Sequence, residues 1–500
     1  MSHPLTTVAR VGQGHGHPHV VAVTNEGDHD APAAPPPPPP GGHLQPRLGP
    51  RDLRPPLAVP APQPTFGLAD AQRYVAERCV GPSVRPRPAE RIGLELEWLT
   101  IDVLEPAHRF AAAALDRFAQ AGGRLPGGSR ITIEPGGQIE LDTAPLPSLS
   151  GAIATARQDS TVLQQRLAEL GARLVPVGID PWRSAERTLD APRYAAMEAS
   201  FDAIGSAGRA MMCNTAALQV NLDLGPDGGS DRWSLLDAVG PALASAFANS
   251  PVSNGRPTGF RSARLATWAA IDPTRTEAVR CSSDPVAAWL DYALHAQVLL
   301  HRLDGERFEP VLDPLTFSGW IQDGHVHGWP TEEDWAYHLT TLFPPVRPRG
   351  WLEVRYLDAL PDEHWPVAVA VLWALALDAE AAGIARQAVC GTEGRWTDAA
   401  RHAAGDPDLG QAAARCLDAA ADGLERLGEP PDLVATVRAF SRRFPHEGRC
   451  PADDVLDAHR HGRLLAPTEV LHDHRPDAGA DGSEARPSAP DHRRLHAGQS

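Results

Sequence analysis

Residues 131–141 read ITIEPGGQIEL, two short runs of apolar–polar alternation around Pro135-Gly136-Gly137. Alternation of period two is the pattern of strands with one buried face. A two-residue Gly-Gly loop would set Glu134 opposite Ile139 and mix the faces. A three-residue loop over 135–137 pairs Glu134 with Gln138 and Thr132 with Glu140, and keeps Ile131, Ile133, Ile139 and Leu141 together. Proline early in the turn and glycine at its left-handed position suit that loop. The register thus predicts a hairpin whose second face carries two glutamates and a glutamine. Like charges across a hairpin repel, so this face needs a positive partner.

Three further segments share the design. In RIGLELEWLTID (91–102), Ile92, Leu94, Leu96 and Trp98 alternate with Gly93, Glu95 and Glu97. In CNTAALQVNLDLG (213–225), Leu218, Val220 and Leu222 alternate with Gln219, Asn221 and Asp223. In GWLEVRYLDA (350–359), Leu352, Val354 and Tyr356 alternate with Trp351, Glu353 and Arg355. A solvated outer face is ordinary for antiparallel sheets, but such faces mix Lys, Arg, Thr and Ser, whereas these repeat carboxylates and amides.

Between the strands the spacing predicts helices over 65–80, 149–171, the 230s to 240s, 284–302, 366–390, 408–428 and 431–443. Thr331 and Asp334 read as a capping box opening a helix that Pro344 and Pro345 close. ARLVPVGID (172–180) reads as a short edge strand. The class is α+β.

The chain has 500 residues, and its ends are unlike its middle. Residues 1–63 are proline-rich and read as a disordered arm; residues 466–500 read as a disordered tail. Residues 64–465 are expected to form the folded domain, which the resemblance given below makes the catalytic one. A formal net charge of −17 argues against nucleic acid as a partner. All 46 basic residues are arginine, which excludes a P-loop lysine, a pyridoxal Schiff base and a lysine nucleophile. Six scattered cysteines without a C-x-x-C pair, and no secretory signal, point to a reducing cytoplasm. The longest apolar run, VAVAVLWALAL (367–377), is too short to span a bilayer and reads as a buried helix, so no membrane role is expected.

Same-face neighbours on a strand lie roughly 6.5–7 Å apart, so Glu95 and Glu97 can serve two cations or flank one. With Glu134, Glu140 and Glu353, and the amides of Gln219 and Asn221, they suit magnesium or manganese better than zinc, which prefers His or Cys. Magnesium on carboxylates implies a polyphosphate, with ATP the default. No P-loop or G-x-G-x-x-G supports a kinase or a dinucleotide fold. His325 and His327, in GHVHG, have metal-ligand spacing but lie between glycines and read as a turn. Cys213, beside the third strand, reads as a structural bystander.

GLELEW, EPGGQIEL, QVNLD and RPRGWLEVRYLDALP, in this order and spacing, resemble the glutamate–cysteine ligases of family 2, in particular the EgtA type that begins ergothioneine synthesis. SARLATWAAIDPTRT and DWAYHLTTLFPPVRPRG are similar to the same group. The resemblance implies a glutamine-synthetase-like fold, an antiparallel sheet cradle backed by helices. It implies a metal site built from paired carboxylates and an E-x-R strand, matched by Glu95/Glu97 and Glu353/Arg355, with Glu134 and Glu140 next. Gln219 and Asn221 stand nearest the place of a metal-binding histidine and are assigned to cofactor binding. The implied reaction joins glutamate to cysteine at the expense of ATP. The substrate's α-carboxylate needs a fork-shaped cation, for which Arg264, beside Trp268, and Arg347 are the candidates; Arg347, Arg355 and Glu353 are the expected catalytic set. A ligase of the same fold with another amine acceptor, and a non-catalytic metal-binding relative, remain alternatives. The partners expected are small molecules: glutamate, cysteine and ATP.

Overall fold

The computed structural model describes residues 66–81, 90–104, 109–121, 124–225, 229–280, 283–303 and 307–462. The proline-rich arm and the tail lie outside the described residues. The strands are β1 (Ile92–Asp102), β2 (Arg130–Ile133), β3 (Ile139–Asp142), β4 (Ala172–Val175), β5 (Ala217–Leu222), β6 (Val252–Ser253), β7 (Arg256–Pro257), β8 (Leu300–Arg302), β9 (Phe308–Pro310), β10 (Val346–Pro348) and β11 (Leu352–Asp358). Among the described residues the main sheet runs β10-β11-β5-β1-β3-β2, with β4 pairing the far end of β1. Its pairs are antiparallel. β6 with β7, and β8 with β9, form two-stranded ribbons.

The hairpin has the expected register: Thr132 faces Glu140 and Ile133 faces Ile139. Glu134 N–H donates to the Gln138 carbonyl, and Gly137, at φ +84°, takes the left-handed position. Gly136 is equally constrained, since a Cβ there would meet the Cys213 carbonyl oxygen at 2.0 Å. Gln138 departs from the expected polar face. Its side chain folds into the turn, accepting from Gly136 N–H and donating to the carbonyls of Met212 and Thr215.

On the apolar side, Leu94, Leu96, Leu218, Val220, Leu222, Val354 and Tyr356 are buried. They pack against the helices Leu149–Glu169, Gly240–Ala246 and Trp365–Leu377. Burying each large aliphatic side chain contributes on the order of 1.5–3 kcal/mol, which holds the sheet flat against its helical layer. Ser148 caps the first of these helices by accepting from Gly151 N–H. Thr331 and Asp334 form the expected capping box.

Three expected helices are broken, shortened or changed in type. The stretch 366–390 is two helices, Trp365–Leu377 and Ala379–Ala388, bent by 105°. Asp378 makes the break: its carboxylate caps Ala381 N–H and holds Arg426 at 2.6 Å. The stretch 284–302 is helical only over Pro285–His295. Leu300–Arg302 instead pairs with β9, because the Gln297 carbonyl is claimed by buried Arg275. The 65–80 helix runs as Leu68–Tyr74 and then a π-turn, Val75–Cys79. Residues 365–375 are all buried, and among the described residues no single helix is long and apolar enough to cross a membrane.

Candidate active site

The registers decide which polar side chains meet. Glu95 stands opposite Gln219 on β5 and Asp142 on β3, and Glu97 stands opposite Glu140. Glu353 faces Asn221 on one side and Arg347 on the other. A register shift between Val354 and Leu357 marks a bulge, a device that re-aims side chains beside active sites. Glu95, Glu97, Glu134, Glu140 and Asp142 are half-buried on this floor.

Their charges are poorly compensated. Burial, then the charge of Glu353, pushes Glu95 up to about 7. Burial, then Glu97, pushes Glu134 up to about 7. Burial, then Glu97 and Glu134, pushes Glu140 up to about 10. Burial also raises Glu97 and Asp142, against the pull of Arg264 and Arg130 respectively. One oxygen each from Glu95, Glu140 and Asp142 lie within 4.8 Å of one another. These are hard, anionic donors with no cysteine or histidine among them, which fits a magnesium-type ion.

Glu353 is the opposite case. Burial alone would raise it, but Arg347 and Arg355, joined by Arg349, hold it well below the usual carboxylate range. Arg347 Nε donates to it at 2.6 Å, Arg349 Nη1 at 3.2 Å and Arg355 Nη1 at 2.9 Å. Its oxygens therefore face guanidinium groups, whereas Glu95 and Glu140 face Asp142, whose own guanidinium partner is the exposed Arg130 at 3.0 Å.

The amides orient the floor. Asn221 Nδ2 donates to Glu95 at 2.8 Å and Gln219 Nε2 to Glu97 at 3.0 Å, where Ala217 N–H adds a second bond at 2.8 Å. Their oxygens accept from Trp351 and Arg355. The two candidate substrate arginines are both buried. Arg347 is forked onto Glu353 and donates to the carbonyls of Thr340 and Leu342. Arg264 donates to the Arg355 carbonyl, lies 3.9 Å from Asp358, and stacks on Trp268 at 5.5 Å. Among the described residues the Nε of Arg264 and that of Arg355 have no hydrogen-bond partner. Arg355 also lies over the Trp268 ring, at 5.5 Å.

Two residues of the site were missed from the sequence. Asp142 continues the Glu140 alternation by one step, and that signal was present. Arg193, at the start of the helix Pro192–Asp202, lies over the Tyr337 ring at 5.5 Å and opposes the charge of Glu134; nothing local in the sequence marks it. Cys213 is fully buried, and burial pushes its thiol up to about 12, consistent with a bystander.

The family model of glutamate–cysteine ligase family 2 matches residues 91–471. The chain belongs to this family. It is 40% identical over 398 residues to glutamate–cysteine ligase EgtA of Mycobacterium tuberculosis, covering 77% of this chain and 89% of that protein. It is 30% identical over 360 residues to a chloroplastic glutamate–cysteine ligase of Brassica juncea, covering 67% of this chain and 68% of that one. Among solved structures, a bifunctional glutathione synthetase from Pasteurella multocida is 16% identical with a TM-score of 0.45, covering 76% of this chain and 52% of that chain. Within the family-2 frame, the floor of β1, β3, β5 and β11 is the candidate active site.

Proposed function

We propose that this chain joins the γ-carboxylate of glutamate to the amine of cysteine with ATP, giving γ-glutamylcysteine, ADP and phosphate. Family membership supports the reaction class. The observation that carries the site is the trio Glu95–Glu140–Asp142, whose oxygens converge within 4.8 Å on a carboxylate-rich floor where Arg130 pairs with Asp142 alone of the three. Bound there, magnesium or manganese would offset the charge of the ATP phosphates.

A glutamate γ-carboxylate oxygen attacks the terminal phosphorus of ATP, the bond to the β-phosphate oxygen breaks, and ADP leaves. The acyl phosphate then loses inorganic phosphate as the cysteine nitrogen attacks its carbon. Positive charge aimed at the transferring phosphoryl group is the largest usual contribution to such a step. Arg355 is the group proposed for it, because its Nε is uncommitted and Glu353 and Gln219 fix its Nη1. Arg347 holds Glu353 in place for that purpose. Arg264 and Trp268 form the wall proposed to receive the glutamate α-carboxylate. Glu134 lies outside the trio and is pushed up to about 7, a suitable value for taking the proton that the cysteine ammonium must lose.

The proposed setting is the cytoplasm, with the product feeding ergothioneine synthesis as in the EgtA type that the sequence resembles. ATP consumption with glutamate, screened across cysteine and other amines, tests the reading. Coupling to cysteine with release of γ-glutamylcysteine supports it, and preference for another amine would move the chain to a different acceptor.

A further inference from the structure

The GHVHG segment forms a tight turn in which His325 and Gly328 exchange both backbone hydrogen bonds, at 2.9 and 2.8 Å. Gly324 and Gly328 take positive φ, +71° and +100°. The turn brings His325 and His327 onto His301 of β8. The His301 and His327 rings stack with centroids 4.2 Å apart, and those of His325 and His327 are 5.2 Å apart. Glu309 on β9 is the cross-strand partner of His301, and its carboxylate lies 3.4 Å from His327 Nε2. Trp320 covers the group, its ring 5.4 Å from His301, while its Nε1 donates to the Gly328 carbonyl.

Three imidazoles and a carboxylate therefore meet at one place. His301 is only 8% exposed, yet its Nδ1 has no hydrogen-bond partner among the described residues; the Nδ1 of His325 is in the same condition. An unpartnered buried ring nitrogen costs free energy unless something binds it. Desolvation, then His327 as neighbour, disfavours the charged form of both His301 and His325, and the neutral form is the one that ligates metal.

We propose that His301, His325 and His327, with Glu309, form a second metal site for an imidazole-preferring divalent ion such as zinc. Its donors are nitrogen-rich where those of the acidic floor are oxygen, so the two sites select different ions. The rings now stack rather than converge. Capture needs a rotation of His327, whose side chain is 28% exposed on the turn. The ion would tie the β8–β9 ribbon to the turn at 325–328. Phe308 of this ribbon packs on Tyr337 at 5.5 Å, and Tyr337 is the ring beneath Arg193, so the site braces one wall around the acidic floor.

The test is a cobalt(II) titration of the full chain after chelator treatment, followed by the visible absorption of tetrahedral cobalt. His15, His17 and His19 could bind cobalt adventitiously, so a chain carrying H15A, H17A and H19A serves as the control. Because His301 is buried, the informative variant is H325Q/H327Q, placed on the turn. The wild type and the control should both show the tetrahedral bands at one equivalent, and H325Q/H327Q should lose them with affinity down about tenfold or more. The same bands and affinity in H325Q/H327Q, or their loss in the control, would overturn the proposal.

Discussion

Glu97 on β1 faces Glu140 on β3 directly across the sheet. Glu97 is held by Gln219 and Ala217 N–H, and Glu140 accepts from the Thr132 hydroxyl. Hydrogen bonds of that kind orient carboxylates without neutralising them. The repulsion inferred from the hairpin alone is thus extended by a third strand, and an ion is the group that would relieve it.

E140Q keeps the shape and its contact to Thr132 while removing a carboxyl that burial and its acidic neighbours disfavour in the charged form. Without divalent metal it should stabilise the fold, by roughly 0.2–1 kcal/mol for a cross-strand like-charge pair. Urea denaturation in chelator measures this. The same variant should lose the stabilisation that magnesium gives the wild type. A less stable E140Q in chelator would show that Glu140 is paired in a way the repulsion does not reflect.

Substitution at Glu353 should act in the opposite sense. E353Q leaves Arg347 and Arg355 facing a neutral amide in a buried setting, and removing one partner of such a cluster costs about 3–5 kcal/mol. The shift in urea midpoint between E353Q and wild type checks it. Near-equal stability would mean that the arginines find other partners.

The pH dependence follows from the raised carboxylates. An unperturbed glutamate titrates near about 4.3, whereas Glu95 and Glu134 sit at about 7 and Glu140 at about 10. Above the unfolded value the unfolded chain has released protons that the folded chain still holds, so stability falls as pH rises through this window. Glu353, held low, loses its contribution only below it. In chelator the Tm should therefore decline from pH 5 to pH 8, and magnesium should restore more at pH 8 than at pH 5. A Tm in chelator that rises over this range would contradict the assigned shifts.

The period-two alternation was enough to place β1, the 131–141 hairpin, β5 and β11, and to show that each turns carboxylates or amides to one face. Asp142 lies on the same alternation, one step beyond Glu140 on β3. The pairing of Arg347 with Glu353 was not legible, since β10 is only three residues long and follows two prolines. The break at Asp378 was hidden for a different reason. Local sequence on both sides is helix-forming, and the Asp378 carboxylate that caps the second helix is also held by Arg426, 48 positions away. Arg193 reaches the floor only through tertiary packing.

Recognition of glutamate is proposed for Arg264. R264K keeps the charge but loses the fork, a loss worth on the order of 1.5–3 kcal/mol for a paired, charge-assisted contact. At about 1.4 kcal/mol per decade, glutamate KM should rise roughly tenfold to a hundredfold, with ATP KM within about threefold. Equal weakening of both substrates would move Arg264 to the phosphates.

The trio at the centre of the floor is tested most directly through Asp142. Formation of γ-glutamylcysteine from glutamate, cysteine and ATP should need magnesium or manganese, stop in EDTA, and release one ADP per dipeptide. D142N should fold normally and lower kcat by about two orders of magnitude or more, the scale expected when transition-state charge loses its support. Wild-type kcat in D142N, or turnover that persists in EDTA, would contradict a cation held by Glu95, Glu140 and Asp142.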